Sequence, residues 1–412
     1  MHCDPRFSRV REVFERQFAD GEELGAAFAV YLDGELVVDL WGGVADRHTG
    51  RVWEADTPVF AYSCTKALTA TVALSVIDDV SAPVTRFWPE FATPETTVEH
   101  LLTHQAGLPV VEDPVPVESF EDLPAIAARL ARQRPLWKPG TAHGYHALTY
   151  GFLVGEVVRR VSGASIGSLV SARIAGPHAL DLWVGAPDEV IDRAARLTTR
   201  PPSGTAPAQT TRNAQEIQKA QAAQKTQATQ KAQATQKAQA AQKAQAAAMP
   251  ADTPAARAAL DPDSLMNRAL GNPAMNLLKG GANHPVILRA GWPGAGVVTT
   301  ARGLAGFYQA LIAGDLLPQD RLKDALRRRV DGQDRVLLMD SSFGLGFSRP
   351  STTFLTPPKA VEAFGHGGLG GSLGLGDPAR GLALAYVMNR LAGSMTGSLR
   401  AYRLAEAVYA SL

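Results

Sequence analysis

The sequence predicts an α+β fold in which helices flank an antiparallel sheet built from both termini, with a mostly helical domain inserted between the two parts. Two strand-like runs joined at Asp33-Gly34 lie near the amino terminus, and others, separated by glycine-rich turns, occupy the last third. Helix-type spacing of apolar residues dominates from Thr65 to about residue 200. Strands at both ends with helices between them indicate one sheet that both termini complete.

The first element is predicted to be an amphipathic helix over residues 6–19. Its apolar residues recur at helical spacing, at Phe7, Val10, Val13, Phe14 and Phe18. The run GAAFAVYLDGELVVDLWGG follows, and its Asp33-Gly34 pair is one that two-residue hairpin loops favour. We therefore expect a helix followed by two antiparallel strands.

The later segments predict one long helix, several short strands and a closing helix. The stretch YGFLVGEVVRRVSG at residues 150–163 has the pattern of a helix in the inserted region. In the last third, short strands are predicted in the runs GLGFSRP, EAFGHGG, GSLGLGDP and GLALAYVMNRL. Residues 395–411 predict the closing helix.

Three regions are expected along the chain. Residues 5–80 and 286–412 form the α/β domain, residues 81–200 and 256–285 the helical domain, and residues 201–255 a low-complexity Ala/Gln/Lys insertion. Within the insertion, Lys recurs every six residues, which advances a helix by about 600° and leaves no apolar stripe. A solvated helix and disorder both remain open. The composition favours a tolerated surface insertion over a partner-binding arm.

Composition and charge exclude several classes of function. The 412 residues carry 41 Lys and Arg against 40 Asp and Glu, a formal charge of +1, which provides no field to attract nucleic acid or an anionic membrane. No apolar run reaches the roughly eighteen residues of a membrane span, and no signal-peptide core is visible. We expect a cytoplasmic protein that acts on a small-molecule ester or acyl substrate. The oligomeric state is not specified by the sequence.

Cysteine and histidine usage predicts neither disulfides nor a cofactor. Only Cys3 and Cys64 are present, which agrees with a reducing compartment. The nine His residues include no Cys-rich group and no zincin helix, so no metal is expected.

The stretch VFAYSCTKALTA places Ser63 and Lys66 three residues apart where a strand-like run gives way to a helix. Positions three apart lie on one helix face, so the two side chains could meet near the helix start. A buried, neutral Lys could remove the serine proton, and the helix dipole would favour the resulting alkoxide. A serine cap followed by an exposed Lys explains the same pair.

Two further features favour acyl chemistry. Tyr145, in WKPGTAHGYHALTYG, lies at a loop-to-helix start, where its phenol could relay protons. The run GHGGLGGS at residues 365–372 is an edge almost without side chains, where a backbone N–H can approach a ligand. A core aromatic and a plain glycine-rich turn are the alternatives. Because the sequence has no acidic pair or phosphate loop, acyl chemistry is the most coherent use of these groups.

These motifs together resemble the class C β-lactamase-related serine hydrolases. Ser63-Cys64-Thr65-Lys66, LLTHQAGLP, WKPGTAHGYHALTYG with GEVVRRVSG, and FGHGGLGGS occur in the family's order and at similar separations over nearly the whole chain except residues 201–255. The family includes D-alanyl-D-alanine carboxypeptidases, family VIII carboxylesterases and acyltransferases. The resemblance implies the serine β-lactamase/transpeptidase-like fold.

The resemblance also implies roles for individual residues. Ser63 would be the acylated nucleophile, Lys66 its proton acceptor and Tyr145 the shared acid and base. The backbone N–H groups of Ser63 and Leu369 would form the oxyanion hole, and His366-Gly367-Gly368 would line the substrate site where lactamases have Lys-Thr-Gly.

Two departures from the family pattern point to esters. Ala147 stands where lactamases and carboxypeptidases have Asn, and His366 replaces a cation that helps to hold the substrate carboxylate. We expect a carboxylesterase-like serine hydrolase. Acyl transfer to an amine or alcohol, and a β-lactamase or penicillin-binding protein with little esterase activity, are the alternatives.

Several other patterns are given simpler interpretations. Residues 370–374 match G-x-S-x-G, but an α/β-hydrolase needs a His downstream, and none follows His366. Cys64 is expected to pack in the core. His104 is expected to order the loop that follows it rather than to bind a metal with His100. The run GWPGAG at residues 291–296 is expected to be a turn because it lacks the end of a phosphate loop.

Overall fold

An antiparallel sheet of strands from both ends of the chain forms the centre of the fold. The structure, a computed structural model, describes residues 1–199, 253–393 and 397–412. The strands in these residues are β1 (His2–Cys3), β2 (Gly25–Leu32), β3 (Glu35–Asp46), β4 (Arg51–Val52), β5 (Val59–Phe60), β6 (Leu182–Val184), β7 (Val297–Thr299), β8 (Val330–Gln333), β9 (Asp340–Phe343), β10 (Phe364–Gly367), β11 (Leu373–Asp377) and β12 (Leu382–Met388).

Helices account for most of the remaining regular structure. The α-helices of the same residues are α1 (Ser8–Ala19), α2 (Thr65–Val76), α3 (Val98–Leu102), α4 (Leu123–Arg132), α5 (Thr149–Ser162), α6 (Ile166–Val170), α7 (Asp188–Arg193), α8 (Pro254–Leu260), α9 (Leu265–Gly271), α10 (Pro285–Ala290), α11 (Ala301–Ala313), α12 (Gln319–Leu326) and α13 (Leu399–Ser411). None of the helices in the described ranges is both long and apolar enough to cross a bilayer.

The main sheet has the strand order β1-β3-β2-β12-β11-β10, with β4 paired to β3, and every pairing is antiparallel. The pairing of β12 with β2 joins the last third of the chain to the first hairpin, from Leu382 opposite Leu32 to Met388 opposite Ala26. Asp33 adopts a φ of 50° and Gly34 a φ of 89°. Positive φ at both residues is what a type I′ hairpin loop requires. The predicted hairpin and the sheet built from both termini are confirmed.

Alternate residues of β2 face two separate hydrophobic cores. Ala27 and Ala29 belong to the larger core, to which α2, α5 and α11 also contribute. Phe28 and Val30 point the other way, into a second core completed by apolar side chains of α1 and α13. The two-residue repeat of the strand therefore places the terminal helices on one face of the sheet and α11 on the other.

The predicted helices are confirmed with small shifts at their ends. A 3₁₀ turn over Pro5–Phe7 precedes α1, which begins at Ser8. Helix α5 ends before Gly163, whose φ of 75° suits a left-handed helix cap. Helix α13 begins at Leu399 rather than at residue 395, and the Ser398 side chain caps it by accepting from Ala401 N.

The run GLGFSRP was predicted as a strand, and this prediction is wrong. β9 ends at Phe343, just before the run, and Ser348 makes isolated bridges with Phe343 and Gly365. Gly346 has a φ of 79°, and a Cβ there would lie 2.4 Å from the Cβ of Ala70. The chain bends so that its backbone can lie against α2, and this bend interrupts the strand.

The chain separates into two units, Met1–Pro201 with Leu265–Leu412, and Pro202–Ser264. Both the predicted α/β domain and most of the predicted helical domain lie in the first unit, so the boundary between them stays a prediction. Of the predicted Ala/Gln/Lys insertion, residues 201–252 lie outside the described residues. In the second unit the structure describes residues 253–264, which contain α8.

A buried ion pair joins α13 to the sheet. Arg400 donates to Glu23 Oε2 at 2.6 Å, and the Tyr386 hydroxyl of β12 donates to Glu23 Oε1. Burial raises the pKa of Glu23 from 4.5 to about 7, while the positive charge of Arg400 acts to lower it.

Arg400→Met should lower the free energy of unfolding by about 3–5 kcal/mol above neutral pH, because it leaves a buried carboxylate without its cation. Removing Arg400 moves the folded-state pKa of Glu23 further above its ordinary value of 4.5. The unmodified folded state already holds this proton up to about pH 7, so the loss of stability relative to it grows as pH rises above about 7 and is smallest below that pH.

Urea unfolding at about pH 6 and about pH 9 measures this difference. Arg403→Met is the matched control, since Arg403 pairs at 2.7 Å with the more exposed Glu22. Its expected loss is below about 1 kcal/mol at both pH values. An equal loss for Arg400→Met at both pH values would contradict the prediction.

Candidate active site

The start of α2 presents Ser63 in a half-buried position. β5 is followed by a 3₁₀ turn over Tyr62–Cys64 that leads into the helix. Thr65 Oγ1 holds this turn, since it donates to Tyr62 O at 2.5 Å and accepts from Val297 N of β7 at 2.9 Å. Ser63 is thereby fixed at the positive end of the helix dipole.

Lys66 lies one helical turn from Ser63 and is completely buried. Its Nζ is 3.2 Å from Ser63 Oγ and donates to Ala147 O and Gly294 O, each at 2.7 Å. Burial holds the pKa of Lys66 well below its usual 10.5. A neutral amine has two N–H donors and one lone pair. Because the two carbonyls use both donors, the lone pair is left to face the Ser63 hydroxyl.

Tyr145 lies beside this pair, on the loop that precedes α5. Lys66 Nζ is 4.8 Å from the centre of the Tyr145 ring, and the other aromatic contacts include Phe343, stacked at 6.2 Å with an interplanar angle of 10°. The buried Tyr145 hydroxyl has no hydrogen bond of ordinary geometry to the described residues. Burial raises the pKa of the phenol above its usual 10.0, and an interaction with the Ser63 hydroxyl opposes this effect. The phenol is therefore protonated at neutral pH and within reach of Ser63.

Strand β10 passes the start of α2. The Cys64 thiol donates to His366 O at 3.4 Å, and a Cβ at Gly368 would lie 2.4 Å from Ala61 O, so only glycine fits there. The His366 Nδ1 is 2.8 Å from Gly367 O and must carry the ring proton, because a carbonyl only accepts. Burial, and then the charge of Lys66, lowers the pKa of His366 to about 3. His366 therefore places a neutral ring, not a cation, beside the Tyr145 ring, 5.9 Å away.

Leu369, one of the two predicted oxyanion donors, lies in the turn that follows β10. Gly368 N donates to Ser372 O at 2.7 Å and closes the turn that carries Leu369. The Leu369 N–H has no acceptor within the described part of the chain. An oxyanion needs a backbone N–H without a partner, and Leu369 directly follows Gly368, which packs against Ala61 O. The assignment of Ser63 and Leu369 as the two donors stays a prediction.

The histidines near the site hold loops together. His104 O accepts from Gly144 N and His104 Nδ1 accepts from His146 N, each at 3.1 Å, so His104 orders the Tyr145 loop. The loop after His104 is instead bound by His146, whose Nε2 accepts from Leu108 N at 2.9 Å. The prediction that His104 orders the loop following it is wrong, because the hydrogen bonds of His104 go to the Tyr145 loop instead. The described residues contain no cluster of His, Cys, Asp and Glu suited to a metal ion.

The structure brings together the side chains of Ser63, Lys66, Tyr145 and His366. Cys64 packs in the core as predicted, and burial raises the pKa of its thiol to about 12. Sequence reasoning missed the two carbonyls that hold Lys66, because every residue has a carbonyl and nothing in the residue type marks these two. It also missed Asp334, a buried carboxylate that accepts from Tyr145 N.

Comparisons with known proteins identify the family of the chain. The family described as Beta-lactamase matches residues 10–409. The "Esterase/beta-lactamase LipL" of Mycobacterium tuberculosis is 31% identical over 406 residues, covering 94% of this chain and 82% of the relative. A family VIII carboxylesterase structure has a TM-score of 0.79 at 30% identity, covering 100% of this chain and 99% of that one.

A further solved structure is similar over the same length. A penicillin-binding protein homologue from Caulobacter crescentus has a TM-score of 0.78 at 35% identity, covering 100% of this chain and 99% of that chain. The serine β-lactamase/transpeptidase-like fold expected from the motifs is confirmed. The chain belongs to the beta-lactamase family and is a serine hydrolase of that family.

Proposed function

We propose that the protein is a carboxylesterase that cleaves its substrate through an acyl-enzyme on Ser63. The observation that carries this proposal is the placement of Lys66, whose Nζ is 3.2 Å from Ser63 Oγ while two carbonyls occupy its N–H donors. A lysine held neutral and aimed in this way is a general base for a serine hydroxyl. The esterase names of the relatives support the same activity.

Acylation follows from the arrangement of the three side chains. The Ser63 proton passes to Lys66 Nζ while Oγ bonds to the ester carbonyl carbon, and the carbonyl π electrons move onto its oxygen. The N–H groups of Ser63 and Leu369 bind that oxyanion. As the C–O bond to the alcohol breaks, the departing oxygen takes the Tyr145 proton, and the Lys66 ammonium returns a proton to Tyr145.

Deacylation uses the same groups in the opposite direction. A water molecule gives a proton to the base as its oxygen attacks the acyl carbon. Ser63 Oγ recovers a proton when its bond to that carbon breaks, and the carboxylic acid is released. After one cycle Lys66 is neutral again and Tyr145 is protonated again, so each turnover consumes only ester and water.

The proposed substrate site at the edge of β10 favours an ester that has no carboxylate beside the scissile bond. His366, Gly367 and Gly368 line the edge, and the His366 ring is neutral because its pKa is lowered to about 3. A neutral ring offers no charge to a substrate carboxylate. Ala147 contributes its carbonyl to Lys66 but has no side-chain amide for a substrate. Both features support a small ester as substrate and weigh against β-lactams and peptidoglycan peptides.

Two related activities share the acyl-enzyme. The names of two relatives, an esterase/beta-lactamase and a penicillin-binding protein homologue, favour some reaction with β-lactams. Slow acylation by nitrocefin would support that activity. Acyl transfer to an amine or alcohol differs only in what attacks the acyl group, and product partitioning with added acceptors distinguishes it from hydrolysis. The cytoplasmic location expected from the sequence stays a prediction that cell fractionation tests.

Ser63→Ala should abolish hydrolysis of short-chain p-nitrophenyl esters and leave the fold intact, because a methyl group cannot form the acyl bond. Intact-mass analysis of the unmodified protein should show one acyl adduct that the variant lacks. Ser372→Ala is the matched control, since Ser372 is the serine of the rejected G-x-S-x-G pattern and should retain activity. Full activity of Ser63→Ala would disprove the mechanism.

Lys66→Arg should lower kcat/KM by about 10²–10⁴-fold, because a guanidinium remains protonated and cannot accept the Ser63 proton. In the unmodified protein, kcat/KM should be high above the pKa of Lys66 and fall as pH drops through it, since only the neutral amine is a base. His366 and His146 have pKa values lowered to about 3 and about 4, so they should add no step between about pH 5 and pH 8.

A pH profile with a short-chain ester measures both effects. Lys138→Arg, a change at an exposed loop position, is the control and should leave the profile unchanged. Recovery of Lys66→Arg activity at about pH 10 would contradict the role of Lys66 as base.

A further inference from the structure

A buried carboxylate holds the loop that carries Tyr145. Asp334 is completely buried and follows β8 directly. Its two oxygens accept from the backbone N–H groups of Tyr145, Val336 and Leu337 and from the hydroxyl of Ser341, at 2.8–3.0 Å. Each of these partners is a donor, so the site suits an ionised carboxylate, which only accepts.

Backbone and hydroxyl dipoles, rather than a cation, balance this charge. Within the described ranges Asp334 has no Lys or Arg partner. Ser341 gives its one proton to Asp334, so it accepts from His143 Nε2, 3.0 Å away. The His143 carbonyl accepts from Arg335 N at 3.1 Å. The loop of residues 143–145 is therefore fastened to residues 334–341 through both side chains and backbone.

This attachment sets the position of the phenol. Tyr145 N donates to both Asp334 oxygens, each at 3.0 Å, while Phe343, at the end of the same hairpin, stacks parallel to the Tyr145 ring. The Tyr145 ring also lies against Lys66 Nζ, which donates hydrogen bonds to Ala147 O and Gly294 O. The negative charge of Asp334 acts in the same direction as burial and raises the pKa of the phenol, so it also helps to keep the proton on Tyr145.

We propose that Asp334 is a positioning residue that holds the Tyr145 phenol at the departing oxygen, and that it thereby determines whether the enzyme cleaves esters of alkyl alcohols. This inference rests on the proposed function, in which Tyr145 protonates the leaving alcohol. An alkoxide is a poor leaving group and needs that proton, whereas p-nitrophenolate departs without it. Loss of Asp334 therefore penalises alkyl esters more than p-nitrophenyl esters of the same acid.

The test compares kcat/KM for ethyl butyrate and p-nitrophenyl butyrate, because kcat/KM reports the acylation step for both. Asp334→Asn keeps the shape but removes the charge and turns an amide N–H₂ toward groups that all donate. We expect the ratio of alkyl to aryl kcat/KM to fall about tenfold or more. An equal loss on both esters, with the ratio unchanged, would overturn the proposal, because a general loss of structure affects both esters alike.

A double-mutant cycle with Tyr145→Phe shows whether Asp334 acts through Tyr145. Tyr145→Phe should lower the same ratio, and adding Asp334→Asn should lower it no further. Additive effects on the ratio would overturn the role of Asp334 while leaving the proposed function intact. An unchanged ratio in Tyr145→Phe would instead disprove Tyr145 as the acid, and the proposed mechanism would fail with it.

Two more variants keep the test decisive if Asp334→Asn fails to fold. Ser341→Ala removes one hydroxyl and retains the three N–H donors, so it should fold and lower the ratio by a smaller factor in the same direction. An unchanged ratio in folded Ser341→Ala would count against the proposal. Asp331→Asn is the matched control, since Asp331 is an exposed carboxylate of the same hairpin, and it should leave the ratio unchanged.

Discussion

The buried amine of Lys66 is the constraint on which the site depends. Two carbonyls from distant parts of the chain, Ala147 O and Gly294 O, each accept a hydrogen bond from Nζ at 2.7 Å. An ammonium ion would have to be taken out of water at a cost of several kcal/mol. The neutral form avoids this cost, and with both N–H donors on the carbonyls its lone pair faces Ser63. The helices and turns around α2 keep Ala147 O, Gly294 O and Ser63 Oγ within hydrogen-bonding distance of Lys66 Nζ.

The surroundings of Lys66 are polar but carry little charge. His104, His146 and His366 are buried, and burial lowers the pKa of each ring, so all three are neutral near neutral pH. Burial likewise keeps the proton on Tyr145. In the proposed mechanism, Lys66 as a neutral base and Tyr145 as a neutral acid would therefore exchange protons with Ser63 and the substrate without a permanent ion pair to break. The backbone N–H groups of the proposed oxyanion hole would stabilise the negative charge that develops on the substrate oxygen during the reaction.

The sheet supplies the second wall of the site. β10 can lie against the start of α2 only because Gly368 has no side chain to meet Ala61 O. β10 is held by β11 and β12, and β12 by β2, so strands from both ends of the chain determine where the Leu369 N–H lies. On the opposite side, the hairpin of β8 and β9 and the loop at Asp334 fix Tyr145. Lys66 thus comes from helix α2, whereas Ser63, Tyr145 and Leu369 lie on turns and loops that the neighbouring helices and strands hold in place.

Local patterns in the amino-acid sequence are enough to predict most of the helices and strands and the candidate site side chains. The Asp33-Gly34 hairpin, helix α5 and the sheet built from both termini follow from local turn chemistry and apolar spacing, and Ser63, Lys66 and Tyr145 are recognisable because their side chains are distinctive. Three features depend on long-range packing: the two carbonyls that bind Lys66, the hydrogen bonds that Asp334 accepts from the Tyr145 loop, and the bend of GLGFSRP in place of a strand. Backbone carbonyls are identical at every residue, and burial and close backbone approach depend on segments far apart in sequence, so no local pattern encodes them.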